Sequence, residues 1–190
     1  MKIYLNPSHS ILLLFCLVLA SCQQPSPKEA FVPINDTELI TEGKRLVTVL
    51  GCNDCHSPKK MTNLGPVPDE SLLLSGFPAT NSLFTSMEAP MGWLLFSLDG
   101  TRAVGPWGTS FASNLTPDDT GIGSWTLEQF SRAMREGKFK GLANGRTLLP
   151  PMPWIGYKDL KDDEIRAIFG YLKSLKPIEN SVPAPIPPGN

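Results

Sequence analysis

Histidine is nearly absent from this chain: its 190 residues hold two, His9 and His56. Cysteine is also sparse, with Cys16, Cys22, Cys52 and Cys55 making the complete set. A zinc centre built from such residues would need more ligands than the body of the chain carries. Neither sign of charge is in surplus, with 17 Lys and Arg against 18 Asp and Glu, which argues against nucleic acid as a partner. No apolar run is long enough to span a bilayer, since Ile11 to Ala20 is too short for a mature transmembrane helix. What the chain does have is 19 prolines and 16 glycines, a composition that points to much irregular loop structure.

The chemistry concentrates in one stretch, Cys52-Asn53-Asp54-Cys55-His56. Two thiols three residues apart, followed at once by an imidazole, form the attachment signature of a c-type haem. Each sulfur can add to a porphyrin vinyl group while the histidine reaches the iron on one face. A CxxC pair could otherwise be a disulfide, a zinc half-site or a thioredoxin-like redox motif. The missing zinc ligands and the missing βαβ frame leave covalent haem as the reading of choice.

The N-terminal residues read as an export signal: one positive charge at Lys2, the apolar run, then Leu19-Ala20-Ser21-Cys22. That end resembles the lipobox of bacterial lipoproteins and implies that Cys22 is the lipid-modified first residue of the mature chain, with residues 1–21 removed. Ordinary cleavage near Ala20 or Ser21 is the alternative. Acylation would tether the protein without a spanning helix, at roughly 0.8 kcal/mol per buried methylene. It would lie on the periplasmic side of a bacterial cell envelope, where covalent haem attachment takes place, and Gln23 favours the outer membrane. From Cys22 onward 169 residues remain, about one domain, with 16 basic and 18 acidic residues after Lys2 is removed, a net charge of −2. Residues 23–35, punctuated by Pro25, Pro27 and Pro33, read as an extended spacer that reaches up to about 40 Å.

Three helices are expected. The first starts near Asp36 or Thr37, buries Leu39, Ile40, Gly43, Leu46, Val47 and Leu50 along one face, and ends at Gly51. Gly43 costs about 1 kcal/mol in a helix interior, so a close helix crossing is expected there. A second helix, about Leu127 to Glu136, has a capping box in Thr126 and Gln129, a hydrophobic staple in Trp125 and Phe130, and Gly137 as its stop. The last opens on Asp162-Asp163-Glu164, buries Ile165, Ile168, Phe169, Leu172 and Leu175, and stops at Pro177. Between them, Leu72-Leu73-Leu74 could form one helical turn, and Trp93 to Phe96 followed by Asp99-Gly100 allows a small hairpin. The tail, residues 178–190, should be extended or disordered.

Taken together, these features resemble the class I cytochrome c family over Thr37 to Pro177. Asn114-Leu115-Thr116-Pro117-Asp118, Thr120 to Thr126, Phe130 to Gly137 and Pro150-Pro151-Met152-Pro153 are similar to the cytochrome c subunits and domains that serve bacterial dehydrogenases. The resemblance implies an all-α domain over residues 36–177: a small cytochrome c fold with crossing N- and C-terminal helices and long irregular loops around one covalent haem. It also implies that a Gly-Pro carbonyl after the motif accepts the Nδ1 proton of His56. Gly65-Pro66 matches, with Pro58 nearer and Pro66 as a plain turn residue the bland alternative. Where the family has Ser or Thr at the cap of its last helix, this chain has Lys161.

No histidine besides His56 remains after the signal, so the opposite face of the iron falls to methionine. Met134 lies on an apolar helix face and reads as packing, Met61 is too near His56 in sequence, and Met87 and Met91 lie in loops, with Met91 the runner-up. Met152, between Pro151 and Pro153, is the expected ligand, because fixed φ angles leave its loop little freedom to lose and the family sets its axial methionine in such a context. Trp107, Asn114 and Arg146 are weaker candidates for contacts with the propionates. The expected function is single-electron transfer through a His56/Met152 iron, with Cys52, Cys55 and Pro66 completing the site. A carrier of this kind is not an enzyme and works between a redox protein donor and acceptor. The alternatives are a haem subunit of a membrane-bound dehydrogenase complex, or a five-coordinate haem enzyme or gas sensor.

Overall fold

The structure is a computed structural model, and it describes residues 36–80 and 88–189. The expected signal peptide, Cys22, the spacer and Met87 lie outside the described residues.

Among the described residues there are four α-helices: α1 (Asp36–Val49), α2 (Cys52–His56), α3 (Leu127–Glu136) and α4 (Asp162–Ser174). Each of the three longer ones forms where its local signals put it. The hydroxyl of Thr126 accepts from the Gln129 N–H at 3.2 Å while the Gln129 amide oxygen accepts from the Thr126 N–H at 2.9 Å. At the other end Gly137 closes α3 in the left-handed region, φ 63°. Lys161 starts α4 through its backbone, whose N–H donates to the Glu164 carboxylate at 2.8 Å, so no hydroxyl cap is needed.

α1 and α4 cross closely, and the crossing accounts for Gly43. A Cβ there would run into the Ala167 carbonyl and lie 2.7 Å from the Tyr171 Cβ. Leu46 and Val47 of α1, Ile165, Ile168 and Leu172 of α4, and Phe130 and Met134 of α3 form the buried centre with Leu74, Ile122 and Tyr157. The rings of Phe130 and Phe169 pack 5.3 Å apart where α3 meets α4.

The expectation of an all-α fold is corrected by two small antiparallel sheets. β1 (Lys59–Thr62) pairs with β2 (Gly65–Pro68), and β3 (Leu95–Phe96), β4 (Arg102–Gly105) and β5 (Gly108–Phe111) form a three-stranded sheet in that order. The reason is turn chemistry in the long segment after His56. Asn63-Leu64 closes the first hairpin, where the Thr62 hydroxyl donates to the Gly65 carbonyl at 2.7 Å. Pro106-Trp107 closes β4 onto β5, with Gly105 opposite Gly108 and Gly108 at φ 90°. The hairpin anticipated around Asp99-Gly100 forms, with Leu95 opposite Val104. The helical turn near Leu72 is a single 3-10 turn, Glu70–Leu72.

The tail runs extended and is tied down. The Ile178 N–H donates to the Thr116 hydroxyl at 3.1 Å, and Ile186 exchanges both backbone hydrogen bonds with Thr109 of β5, at 2.8 and 3.0 Å. Among the described residues no helix is long and apolar enough to cross a membrane.

Candidate haem-binding site

α2 is five residues long and follows Gly51, whose φ of 69° turns the chain out of α1. One helical turn separates Cys52 from Cys55, so their sulfurs share a face. Both are free thiols, and burial pushes them up, Cys52 to about 11. They are therefore protonated at neutral pH, unlike the reactive thiolate of a thioredoxin-like motif. Among the described residues no three His, Cys, Asp or Glu side chains are grouped to hold a metal ion.

His56 is buried, and its Nδ1 lies 2.7 Å from the Ser113 carbonyl. A carbonyl can only accept, so Nδ1 carries the proton and Nε2 presents its lone pair, with no hydrogen bond to any described residue. Burial holds the imidazole below its ordinary range, only partly offset by that hydrogen bond, which keeps it neutral and able to ligate. The expected acceptor, Pro66, is displaced from this role. It sits in β2 opposite Met61, in a largely exposed hairpin, and the Ser113 carbonyl accepts the hydrogen bond from 57 residues downstream.

The backbone around His56 is secured by groups distant in sequence. Its carbonyl accepts from the Gly76 N–H at 2.8 Å, and the Ser57 hydroxyl, bonded to Asn53 Oδ1 at 3.0 Å, accepts from the Leu74 N–H at 2.9 Å. Lys59 places its ammonium at the C-terminal end of α2, donating to the Asp54 carbonyl at 2.6 Å, to the Ser57 carbonyl at 3.3 Å and to the Asp99 carbonyl. Sequence reasoning missed Lys59. A cation three residues past a short helix is a usable signal, although the contact with the Asp99 turn is not.

The methionines separate by exposure. Met91 is 99% and Met61 59% exposed, and Met134 is core at 6%. Met152 is half-buried against the core. Its loop is anchored where the Ser110 hydroxyl donates to the Pro150 carbonyl at 2.6 Å and where the Trp154 ring covers Gly137. In the turn that follows (Trp154–Tyr157), the Tyr157 hydroxyl donates to the Leu50 carbonyl at 3.0 Å, tying the Met152 side to the residue two before Cys52.

The three weaker candidates are occupied otherwise. Asn114 donates to Thr120 Oγ1 and the Ile178 carbonyl, and its oxygen accepts from the N–H and hydroxyl of Thr116, so the amide is saturated. The Trp107 indole donates to Ser110 at 3.3 Å, and the Arg146 guanidinium lies 4.0 Å from the centre of the Phe139 ring. The donor set that remains, two thiols on one face of a helix and a neutral imidazole with Nε2 free, fits covalent haem c.

No family model matches the chain. Over 90 residues, 46% of the chain, it is 37% identical to the fructose dehydrogenase cytochrome subunit of Gluconobacter japonicus. Over 88 residues, 45% of the chain, it is 39% identical to the cytochrome c subunit of the quinone-type alcohol dehydrogenase of Gluconobacter oxydans. Over 73 residues, 38% of the chain, it is 38% identical to the gluconate 2-dehydrogenase cytochrome c subunit of Pantoea cypripedii. The chain covers 18% of each of the first two proteins and 16% of the third, well under a fifth of their length. Its relatives are thus cytochrome c subunits of bacterial dehydrogenases, in agreement with the resemblance carried by the motifs.

Proposed function

We propose that the chain is a monohaem c-type cytochrome that passes single electrons in the bacterial cell envelope. Cys52 and Cys55 would hold one covalent haem c through their sulfurs, with the His56 imidazole and the Met152 thioether as the side chains that would bind its iron. Cys22 is the lipid anchor on the periplasmic side of the membrane, with the outer membrane favoured. The observation that carries the reading is the His56 imidazole, buried directly after two free thiols, with Nδ1 committed to Ser113 and Nε2 without a hydrogen bond among the described residues.

When bound, haem supplies a one-electron iron couple. The chain does the rest. The thiols fix the position of the cofactor, and the Ser113 carbonyl selects the tautomer and raises the basicity of Nε2. The Met152 thioether, a soft donor on an anchored loop, would be the second side chain to hold the iron and would favour its reduced state, which suits electron transfer rather than substrate chemistry. The protein is then a carrier, with donor and acceptor both redox proteins. Its relatives favour a second reading, in which the chain is a haem subunit of a membrane-bound dehydrogenase complex.

The test is the oxidised-state spectrum of the purified protein. A methionine-to-iron charge-transfer band that disappears in Met152→Ala is the expected result, and a wild-type protein without the band would move the chain to the five-coordinate enzyme or sensor class. Detergent extraction separates the other two readings, since a carrier comes away alone and a subunit co-purifies with a dehydrogenase.

A further inference from the structure

Asn180 lies beyond the last helix, in the tail, yet it is bonded to several separate stretches of backbone. Its Nδ2 donates to the Ser75 carbonyl at 2.7 Å and the Phe77 carbonyl at 2.9 Å. Its Oδ1 accepts from the Ala79 N–H at 2.9 Å, and its own N–H donates to the Thr120 hydroxyl at 2.9 Å. The residue enclosed by those two carbonyls is Gly76, whose N–H donates to the His56 carbonyl. Gly76, at φ 80°, is also pressed against the backbone that takes the imidazole proton. A Cβ there would lie 2.6 Å from the Ser113 carbonyl carbon and 2.7 Å from the Asn114 nitrogen. On the far side, Thr120 and Ile178 are both bonded to Asn114, the next residue after Ser113.

We propose that Asn180 is a positioning residue for the axial imidazole. By gripping Ser75 and Phe77 it seats the Gly76 backbone on the Ser113–Asn114 peptide, and so holds the Ser113 carbonyl in line with His56 Nδ1. The hydrogen bond on Nδ1 sets how strongly Nε2 donates to the metal, and stronger donation favours ferric iron. The amide of Asn180 therefore biases the redox equilibrium of the site without touching it. The inference rests on the haem reading above.

The experiment compares the full-length haem-loaded protein with Asn180→Ala, Asn180→Asp and Ile186→Pro. The Asp variant keeps the acceptor for Ala79 but loses the Nδ2 donor. The Pro variant releases the tail from Thr109 and leaves Asn180 unchanged. Two quantities are read, the equilibrium reduced-to-oxidised ratio and the hydrogen-exchange rate of the Gly76 amide. Asn180→Ala should raise the ratio three- to tenfold, tenfold being 59 mV for one electron; Asn180→Asp should raise it less, because its carboxylate favours ferric iron, and both should speed Gly76 exchange at least tenfold. Ile186→Pro should move neither. An unchanged ratio with faster Gly76 exchange, or an equal shift in Ile186→Pro, would overturn the proposal and leave Asn180 as ordinary tail packing. A wild-type protein without covalent haem would overturn the functional reading itself, which the absorption spectrum reveals before any variant is made.

Discussion

Behind His56 the chain is held by polar side chains bonded to distant backbone: Ser57 to Leu74, Asn114 to Ile178, Asn180 to Ser75 and Phe77. Around Met152 it is held by rings and prolines, with Trp154 over Gly137 and a pair of hydroxyl bonds from Ser110 and Tyr157. The first arrangement fixes direction, because a hydrogen bond weakens steeply as it bends. The second fixes volume and tolerates small rotations. An imidazole that must be oriented sits on the polar side, and a flexible thioether sits on the packed one.

The comparison can be broken most severely at the element both sides share. Gly43→Ala forces apart α1 and α4, where neither the Ala167 carbonyl nor the Tyr171 Cβ can yield cheaply, and should lower stability by about 3 kcal/mol. Urea titration should show the loss, with both sides loosening together. Asn114→Ala comes next. It strips the buried Thr116 N–H of its acceptor, leaves the Thr116 hydroxyl only the Ile178 carbonyl at 3.3 Å, and should cost about 2–3 kcal/mol. Amide exchange should quicken at Leu115, whose N–H donates to Leu74, and stay slow at Leu148, whose N–H donates to Gly137.

Ser110→Ala should do the reverse at a lower cost of about 1–2 kcal/mol, since the hydroxyl's bond to the Pro150 carbonyl and the bond it accepts from the Trp107 indole are both lost. Exchange should then quicken at Leu148 and Met152 and not at Leu115. If both variants disturbed the same amides, the two sides would be one unit.

The smallest effect is expected from acid. Asp69 is held down to about 2 by the Ser71 hydroxyl and the Lys60 ammonium, and Asp118 is lowered by the hydroxyl and N–H of Thr120. Both carboxyls have folded values below their unfolded ones. Their contribution is therefore complete above about pH 4 and is lost as pH falls through the folded values, about 2 for Asp69. Both residues lie at the surface and are only partly buried, so only a shallow dependence is expected. In urea midpoints taken across that window, Asp69→Asn should flatten the slope relative to wild type, and an unchanged slope would remove Asp69 from the account.

Much of the helical half was legible because its signals are local. The box of Thr126 and Gln129, the stop at Gly137 and the acids opening α4 lie within a few residues of what they control. Gly43 was readable as an anomaly whose cause, a helix crossing, could be anticipated although not its partner. The sheets were less legible, because strands of two to four residues are too short for alternation to stand out, and only the Asp99-Gly100 turn announced itself. The acceptor for His56 is illegible for a related reason, and Ser113 stands where Pro66 is expected. Any residue offers a carbonyl, so nothing in the residue types marks Ser113.

Residue types alone set the available chemistry: which thiols, which imidazole and which few methionines exist to meet a haem, and which segments coil. How that chemistry is aimed was settled by folding, through the Ser113 carbonyl, the Lys59 ammonium at the end of α2 and the Asn180 grip on Gly76. Caps and helical periods act over one or two turns and are written in residue type. Hydrogen bonds between backbone segments 57 to more than 100 residues apart are written in distance and angle, which exist only once the chain has folded.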